Sequence, residues 1–209
     1  MYLMLSTRPD LAYSVGYLSR SLENPKSEDI MRVKRVFRYI AGTLKKGIIY
    51  FQNYDVGILQ CYSDADFGGC VQSGRSTSGV VIMYAGGAIS WLSQRQAMVA
   101  TSTTEAEIVA ANEATKEIIW LSRLYNGVTK LKQVPVLPVD HSAAVRLEQN
   151  PEFHRRTKHI AVKHFFIREN ILEGIINIQQ ISTEQQVADI MTKPLERLRI
   201  YFKNSKGKY

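Results

Sequence analysis

Cys61-Tyr62-Ser63-Asp64-Ala65-Asp66-Phe67-Gly68-Gly69-Cys70 is the stretch whose reading decides the fold. An alternating run from Ile58 to Ser63 reads as a strand and ends in two carboxylates, followed by a glycine pair. Carboxylates at a strand end, where the backbone turns, can hold a hard divalent cation such as Mg²⁺, which takes oxygen ligands. Glycines beside them let a second backbone, such as a phosphodiester, come close. The plainer reading is a solvated Asp-Gly turn closing a strand. The rest of the chain decides between the two, because it returns single acidic residues to three more expected element ends.

Downstream, a loop over 68–78 leads to strands at 79–84 and 88–93, joined by Ala85-Gly86-Gly87 as a hairpin turn. Three consecutive antiparallel strands follow from that. A polar bridge over 94–103 enters a helix expected at 104–125, with Ser102, Thr103 or Thr104 as its N-cap. Glu107, Ala111, Ala114, Ile118, Leu121 and Tyr125 share one stripe of that helix. Glu105 lines up instead with Val109, Asn112 and Lys116, towards solvent. An acidic group heading a buried stripe must be capped, paired or metal-bound, so Glu107 is the candidate.

A strand at 134–139, interrupted by Pro135 and Pro138, reads as an edge or an irregular start and ends at Asp140. A helix over 142–149 and a basic loop over 151–159, with Arg155, Arg156 and Lys158, come next. The spacing predicts a helix over 161–172 with Ile160, His164, Ile167 and Ile171 on one side, then a strand at 175–181. Ser182-Thr183-Glu184-Gln185 fits a capping box for a short helix over 184–192 that carries Asp189. A mixed five-stranded α/β sheet flanked by helices is the expected architecture.

Upstream lies a short helical segment. Asp10 is placed to cap a helix with Leu11, Val15, Leu18 and Leu22 along one stripe, stopped by Asn24-Pro25. Ser27 opens a second, with Ile30, Val33, Phe37, Ile40 and Leu44 as its inner face and Arg32, Lys34, Arg35 and Arg38 outside. A short strand is expected at 48–52. The division that follows is a helical segment at 1–52, an α/β domain at 53–195 and a basic tail at 196–209.

Of 209 residues, 45% are apolar, enough for a substantial core. No run approaches the roughly 18 apolar residues of a membrane span. Cys61 and Cys70 make neither a disulfide framework nor a zinc site, which favours a reducing compartment. The net charge of +8 is uneven: residues 1–50 carry nine Lys/Arg against four Asp/Glu, 51–139 six against seven, and 140–209 twelve against eight. A near-neutral centre between basic ends suits a metal site flanked by surfaces for a polyanion.

Asp64, Glu107, Asp140 and Asp189 thus stand at strand ends and helix starts that can converge on one edge of a sheet. Four such groups repel one another unless cations neutralise them. Two Mg²⁺ ions about 4 Å apart would do so and would clamp both the attacking and the leaving oxygen of an in-line phosphoryl displacement.

The pieces YSDADFGG, RSTSG, STTEAE, VDHSAA, NPEFHRRTKHI, HFFIRE and VADIMTKPL, in this order, resemble the ribonuclease H domain that ends the Pol polyprotein of copia-type LTR retrotransposons. TRPDLAYSVGYLSR and RYIAGTLKKG resemble the segment joining that domain to the preceding reverse transcriptase. The resemblance implies an RNase H-like fold and metal-dependent endonucleolytic hydrolysis of the RNA strand in an RNA–DNA hybrid. It puts the family's four carboxylates on Asp64, Glu107, Asp140 and Asp189, holding two Mg²⁺ with Mn²⁺ as a substitute. Asp66 and Glu105 are runners-up. It further implies the hybrid and the preceding reverse transcriptase domain as partners, no membrane and no small-molecule cofactor. The implied location is the cytoplasmic virus-like particle, with the nucleus as a second compartment. Gly68, Arg75, Ser76, Thr77, Arg156 and Lys158 are candidates for contacting the nucleic acid, whose 2′-hydroxyls mark the RNA strand.

Some features depart from the pattern. His141 follows Asp140 where many relatives carry Asn, and no histidine lies between His164 and Asp189 to help product leave. The polymerase's own metal-binding aspartates are absent, so DNA synthesis is not expected, and the start at Met1 suggests a truncated copy. A catalytically inert or host-adopted module is the alternative reading. His154, His159 and His164, five residues apart, do not stack on one helix face and read as core or surface histidines, not a zinc site. Trp91 and Trp120 read as core.

Overall fold

The computed structural model describes residues 1–50, 57–129, 131, 133–140 and 158–194. Its centre is a five-stranded mixed sheet: β1 (Gln60–Ala65), β2 (Thr77–Tyr84), β3 (Gly87–Arg95), β4 (Val136–Asp140) and β5 (Asn177–Ile181), in the spatial order β3-β2-β1-β4-β5. The β1–β2 and β2–β3 pairs are antiparallel, and β1–β4 and β4–β5 are parallel. The expected meander followed by parallel strands is therefore present. The β2–β3 hairpin closes through Ala85 (φ 50°) and Gly86 (φ 75°), with Tyr84 opposite Gly87. Two consecutive left-handed residues give the turn whose twist matches the flanking strands.

Helices cover both faces. Preceding the sheet are α1 (Tyr2–Ser6), α2 (Ala12–Leu18) and α3 (Ser27–Ala41); α4 (Thr103–Thr129) and α5 (Lys158–Leu172) lie later in the chain. Odd-numbered residues of β1 and even-numbered residues of β2 point towards α4, so Leu59, Cys61, Val80 and Ile82 pack with Ala111, Ala114 and Ile118. The expected stripes of both long helices are inside: Ile118, His164 and Ile167 are fully buried, Ile160 nearly so. Each large apolar side chain withdrawn from water contributes about 1.5–3 kcal/mol. The opposite face carries a smaller cluster of Ala12, Val81, Ala88 and Met191, which seats α2.

Four expectations need correction. The first is the apolar stripe of α3: Ile30 is 53% exposed, Phe37 67% and Leu44 76%, because no described element packs over it. The second is Trp120, 58% exposed on α4. The third is the described part of the strand at 48–52: residues 48–50 are irregular, 51 and 52 lie outside the described residues, and Tyr50 donates its hydroxyl to the Ala88 carbonyl at 2.8 Å. The fourth is one of the two readings of β4, which is an inner strand and not an edge, whereas the irregular start is present at 134 and 135. Its proline is tolerated for a readable reason. The Val136 N–H donates to the Leu59 carbonyl, so Pro138, two residues on, meets β1 without a donor. The β1–β4 register holds only the pair Gln60–Val136, and the strands' C-terminal ends flank a cavity.

Asp10 does not cap a helix through its own side chain. Its carboxylate takes bonds from the buried Arg8 guanidinium (2.8 and 3.0 Å) and from the Tyr39 hydroxyl (2.8 Å). Arg8 also reaches the Thr43 hydroxyl at 2.7 Å and its carbonyl at 3.2 Å, tying the end of α3 to the start of α2. The helical segment is joined to the sheet as well: Trp91 Nε1 donates to the Met4 carbonyl at 2.6 Å. The expected helix at 142–149, most of the basic loop and the basic tail lie outside the described residues, as do His141, His154 and Arg156.

Candidate active site

Asp64 occupies the fifth position of β1, opposite Gly79 of β2. Gly79 has no room for a side chain. A Cβ there would stand 2.7 Å from Met191 Cβ and Thr192 Cγ2 and 2.9 Å from the Ala188 carbonyl oxygen. The absent methyl lets the segment after β5 lie directly on the sheet, which sets its side chains over Asp64. That segment is not the single helix expected. It is two 3₁₀ turns, Thr183–Gln185 and Val187–Met191, broken at Gln186, whose extended backbone frees its side chain. Ser182 and Gln185 form the expected capping box of the first turn. Gln186 bridges outward and back: its Nε2 donates to the Ser63 carbonyl at 3.0 Å and its Oε1 accepts the Ala188 N–H at 3.2 Å.

The consequence is a compact polar group around Asp64. The Thr192 hydroxyl donates to Asp64 Oδ2. Lys193 Nζ lies 2.8 Å from Asp189 Oδ1 and 3.9 Å from Asp64 Oδ2. Burial pushes the Asp64 carboxyl above the usual carboxylate range; Thr192 and Lys193 oppose that rise and the neighbouring Asp189 adds to it. Asp189 is itself 7% exposed.

Glu107 sits in the first turns of α4, whose start is fixed by the Ser102 hydroxyl accepting the Glu105 N–H at 3.2 Å. Glu105 is half-buried, and its carboxylate accepts the Thr101 N–H at 2.7 Å in an exposed bond. Of its stripe-mates Lys116 is exposed as expected, whereas Val109 and Asn112 are buried, because α4 is covered over a wide arc. Asp140 ends β4. Asp64, Glu107, Asp140 and Asp189 line one cavity of about 180 Å³, together with Thr104, Gln186 and Lys193. They do not yet form a tight cluster: among the described residues no three acidic, histidine or cysteine side chains stand close enough to hold an ion. The donor chemistry nevertheless fits a hard cation, since the carboxylate oxygens of Asp64 and Asp189 already share one, the Lys193 ammonium.

Asp66 lies outside this cavity. Its carboxylate accepts the Thr77 N–H and braces the loop, with burial raising its pKa and the Thr77 bonds opposing the rise. Among the proposed contacts to nucleic acid, Ser76 and Thr77 are corrected. Both are buried, with the Ser76 hydroxyl accepting the Gly68 N–H at 3.1 Å and the Thr77 hydroxyl accepting from Arg20 at 3.3 Å. Gly68 and Arg75 are partly exposed, and Lys158 is exposed at the start of α5. The fully buried His164 belongs to the core stripe. Thr192 and Lys193 were missed from sequence; the one signal was their position, three and four residues beyond Asp189.

The chain is 42% identical over 197 residues to the retrovirus-related Pol polyprotein from transposon TNT 1-94 of Nicotiana tabacum, an alignment covering 94% of this chain and 15% of that protein. Relatives that match 91–94% of this chain at 38–42% identity are transposon-encoded, retrovirus-related Pol polyproteins. The chain spans about a seventh of that polyprotein's length. It is also 46% identical over 122 residues to the secreted RxLR effector protein 161 of Plasmopara viticola, covering 58% of this chain and 85% of that one. No family model matches. Among solved structures it is similar to LC11-RNase H1 in complex with RNA/DNA hybrid, at 18% identity and a TM-score of 0.46, over 64% of this chain and 93% of that chain.

Proposed function

We propose that this segment of the Pol polyprotein is its ribonuclease H, of the copia type, cutting the RNA strand of an RNA–DNA hybrid to leave a 3′-hydroxyl and a 5′-phosphate. One observation carries the reading: four carboxylates from four separate elements line a single cavity where β1 and β4 part. Asp64, Glu107, Asp140 and Asp189 would hold two Mg²⁺ ions, with Mn²⁺ able to replace them. Bound there, the ions supply Lewis-acid activation of the phosphate and of the attacking water.

The protein's own share is placement. The Thr192 hydroxyl fixes one oxygen of Asp64, a residue that lines the cavity. Gln186 pins the Ser63 carbonyl, and with it the end of β1, to the turn that carries Asp189. Glu107 is oriented by the capped start of α4, and Asp140 by the strand that Pro138 holds off from β1. Gly68 and Arg75, which are partly exposed, and Lys158, which is exposed, would meet phosphate or the 2′-hydroxyls that distinguish RNA. The polymerase portion of the same polyprotein is the further partner proposed.

The test is cleavage of an end-labelled RNA–DNA hybrid with Mg²⁺ by wild type and Asp64→Asn, with double-stranded DNA as control. Hybrid-specific cutting that the substitution abolishes supports the reading; no cutting by folded protein overturns it. A second reading, a module that binds hybrid without cutting, is favoured by the lysine seated between two of the four carboxylates. It requires hybrid binding with no cleavage under Mg²⁺ or Mn²⁺.

A further inference from the structure

Lys193 lies where a cation is expected. Its ammonium meets Asp189 at 2.8 Å and Asp64 at 3.9 Å, and all three residues line the cavity. The carboxylates are nearly withdrawn from water, with side chains 10% and 21% exposed, whereas the Lys193 side chain is 46% exposed. One end of the pair is therefore largely withdrawn from water and the other open to it. Neighbouring carboxylates withdrawn from water repel one another unless a retained proton or a positive charge offsets them. A lysine on a flexible four-carbon stem can supply it and can also leave, since its head already borders solvent.

We propose that Lys193 is an internal counter-cation of the Asp64–Asp189 pair, which holds the site together without metal and must be displaced when a divalent ion binds. This rests on the reading of the cavity as a metal site. The same segment is built for such an exchange. Thr192 stays on Asp64 through its hydroxyl, so the strand end keeps its anchor when the ammonium moves. Asp189 sits at the third position of the closing 3₁₀ turn, and Lys193 begins just past that turn, where its N–H bonds to the Asp189 carbonyl at 3.3 Å. Lys193 is thus a positioning residue that competes with metal and not a ligand of it.

Competition has a signature that a merely structural role does not share. Lys193→Met should bind Mn²⁺ about tenfold more tightly, the size of a half-solvated ion pair's loss, while its metal-free form melts at a lower temperature. Lys193→Arg, which keeps the charge, should stay within about threefold of wild type. The affinities are read by calorimetry or by the electron paramagnetic resonance of free Mn²⁺, with no nucleic acid and no turnover. Unchanged or weaker Mn²⁺ binding by Lys193→Met overturns the proposal. Equal binding by wild type and Asp64→Asn would instead sink the metal-site reading itself. If the methionine variant does not fold, the wild type answers alone: the side-chain NMR signal of Lys193 should move towards that of a free lysine as Mg²⁺ is added. A signal that stays put overturns the proposal.

Discussion

Two clusters of charge in this molecule use the same residue types to opposite ends. Around Asp10, one carboxylate faces one guanidinium, both side chains are under 10% exposed, and Tyr39 and Thr43 take up neighbouring hydrogen bonds. Around Asp64, two carboxylates share a single ammonium that is half in water, and two further carboxylates line the same cavity. The first pairs one carboxylate with one cation and is closed; the second gathers four carboxylates and the Lys193 ammonium around an opening. A closed pair makes a brace, and an open gathering of carboxylates is the arrangement that the proposed cation site requires.

The contrast breaks most visibly by substitution. Asp64→Asn should leave the fold intact and remove detectable cleavage of the hybrid, seen in a gel-based assay with Mg²⁺. Arg8→Ala should do the reverse, lowering unfolding stability by about 3 kcal/mol, since it strands a buried carboxylate. The folded fraction, measured in urea melts beside the same assay, should still cut at the wild-type rate per folded molecule. Thr192→Val sharpens the boundary between brace and site. It removes only the hydroxyl that orients Asp64, and should reduce metal affinity or cleavage by about 10–100-fold.

The smallest effect is one of pH. Burial, and then the bond to the Asp10 carboxylate, push the Tyr39 phenol up to about 12 from an ordinary 10.0. A proton held more tightly in the folded state means that stability is whole below pH 10 and falls as pH rises from there towards 12. Thermal melts across that range should show a slope that Tyr39→Phe flattens. A slope that the substitution leaves unchanged would mean the brace is open to solvent after all.

Most of the frame was readable because it depends on local pattern. Alternation marked β1, the Ala85-Gly86-Gly87 turn marked the hairpin of β2 and β3, and the 3.6-residue stripe put Ala111, Ala114 and Ile118 inside and set Glu107 at their head. The same rule failed on α3, whose stripe from Ile30 to Leu44 is as regular as that of α4 yet stays largely exposed. Periodicity says which face is apolar, not whether another element arrives to cover it. Pro138 misled for a related reason: a proline forbids one donor, and only the pairing of Val136 with Leu59 reveals that the missing donor faces a strand that is already parting.

By itself, then, the sequence determined the five strands of the sheet, the two long helices after the hairpin and the four carboxylates it singled out, because strand alternation, helix spacing and capping act over a few residues. Tertiary structure alone decided that those carboxylates share one cavity, that Gly79 lets the last turns settle on the sheet, and that Lys193 comes to rest between Asp64 and Asp189. Residues 64 and 193 meet across more than half the chain, and no local rule reaches that far. Their contact exists only once the sheet has formed and the closing turns are packed against it.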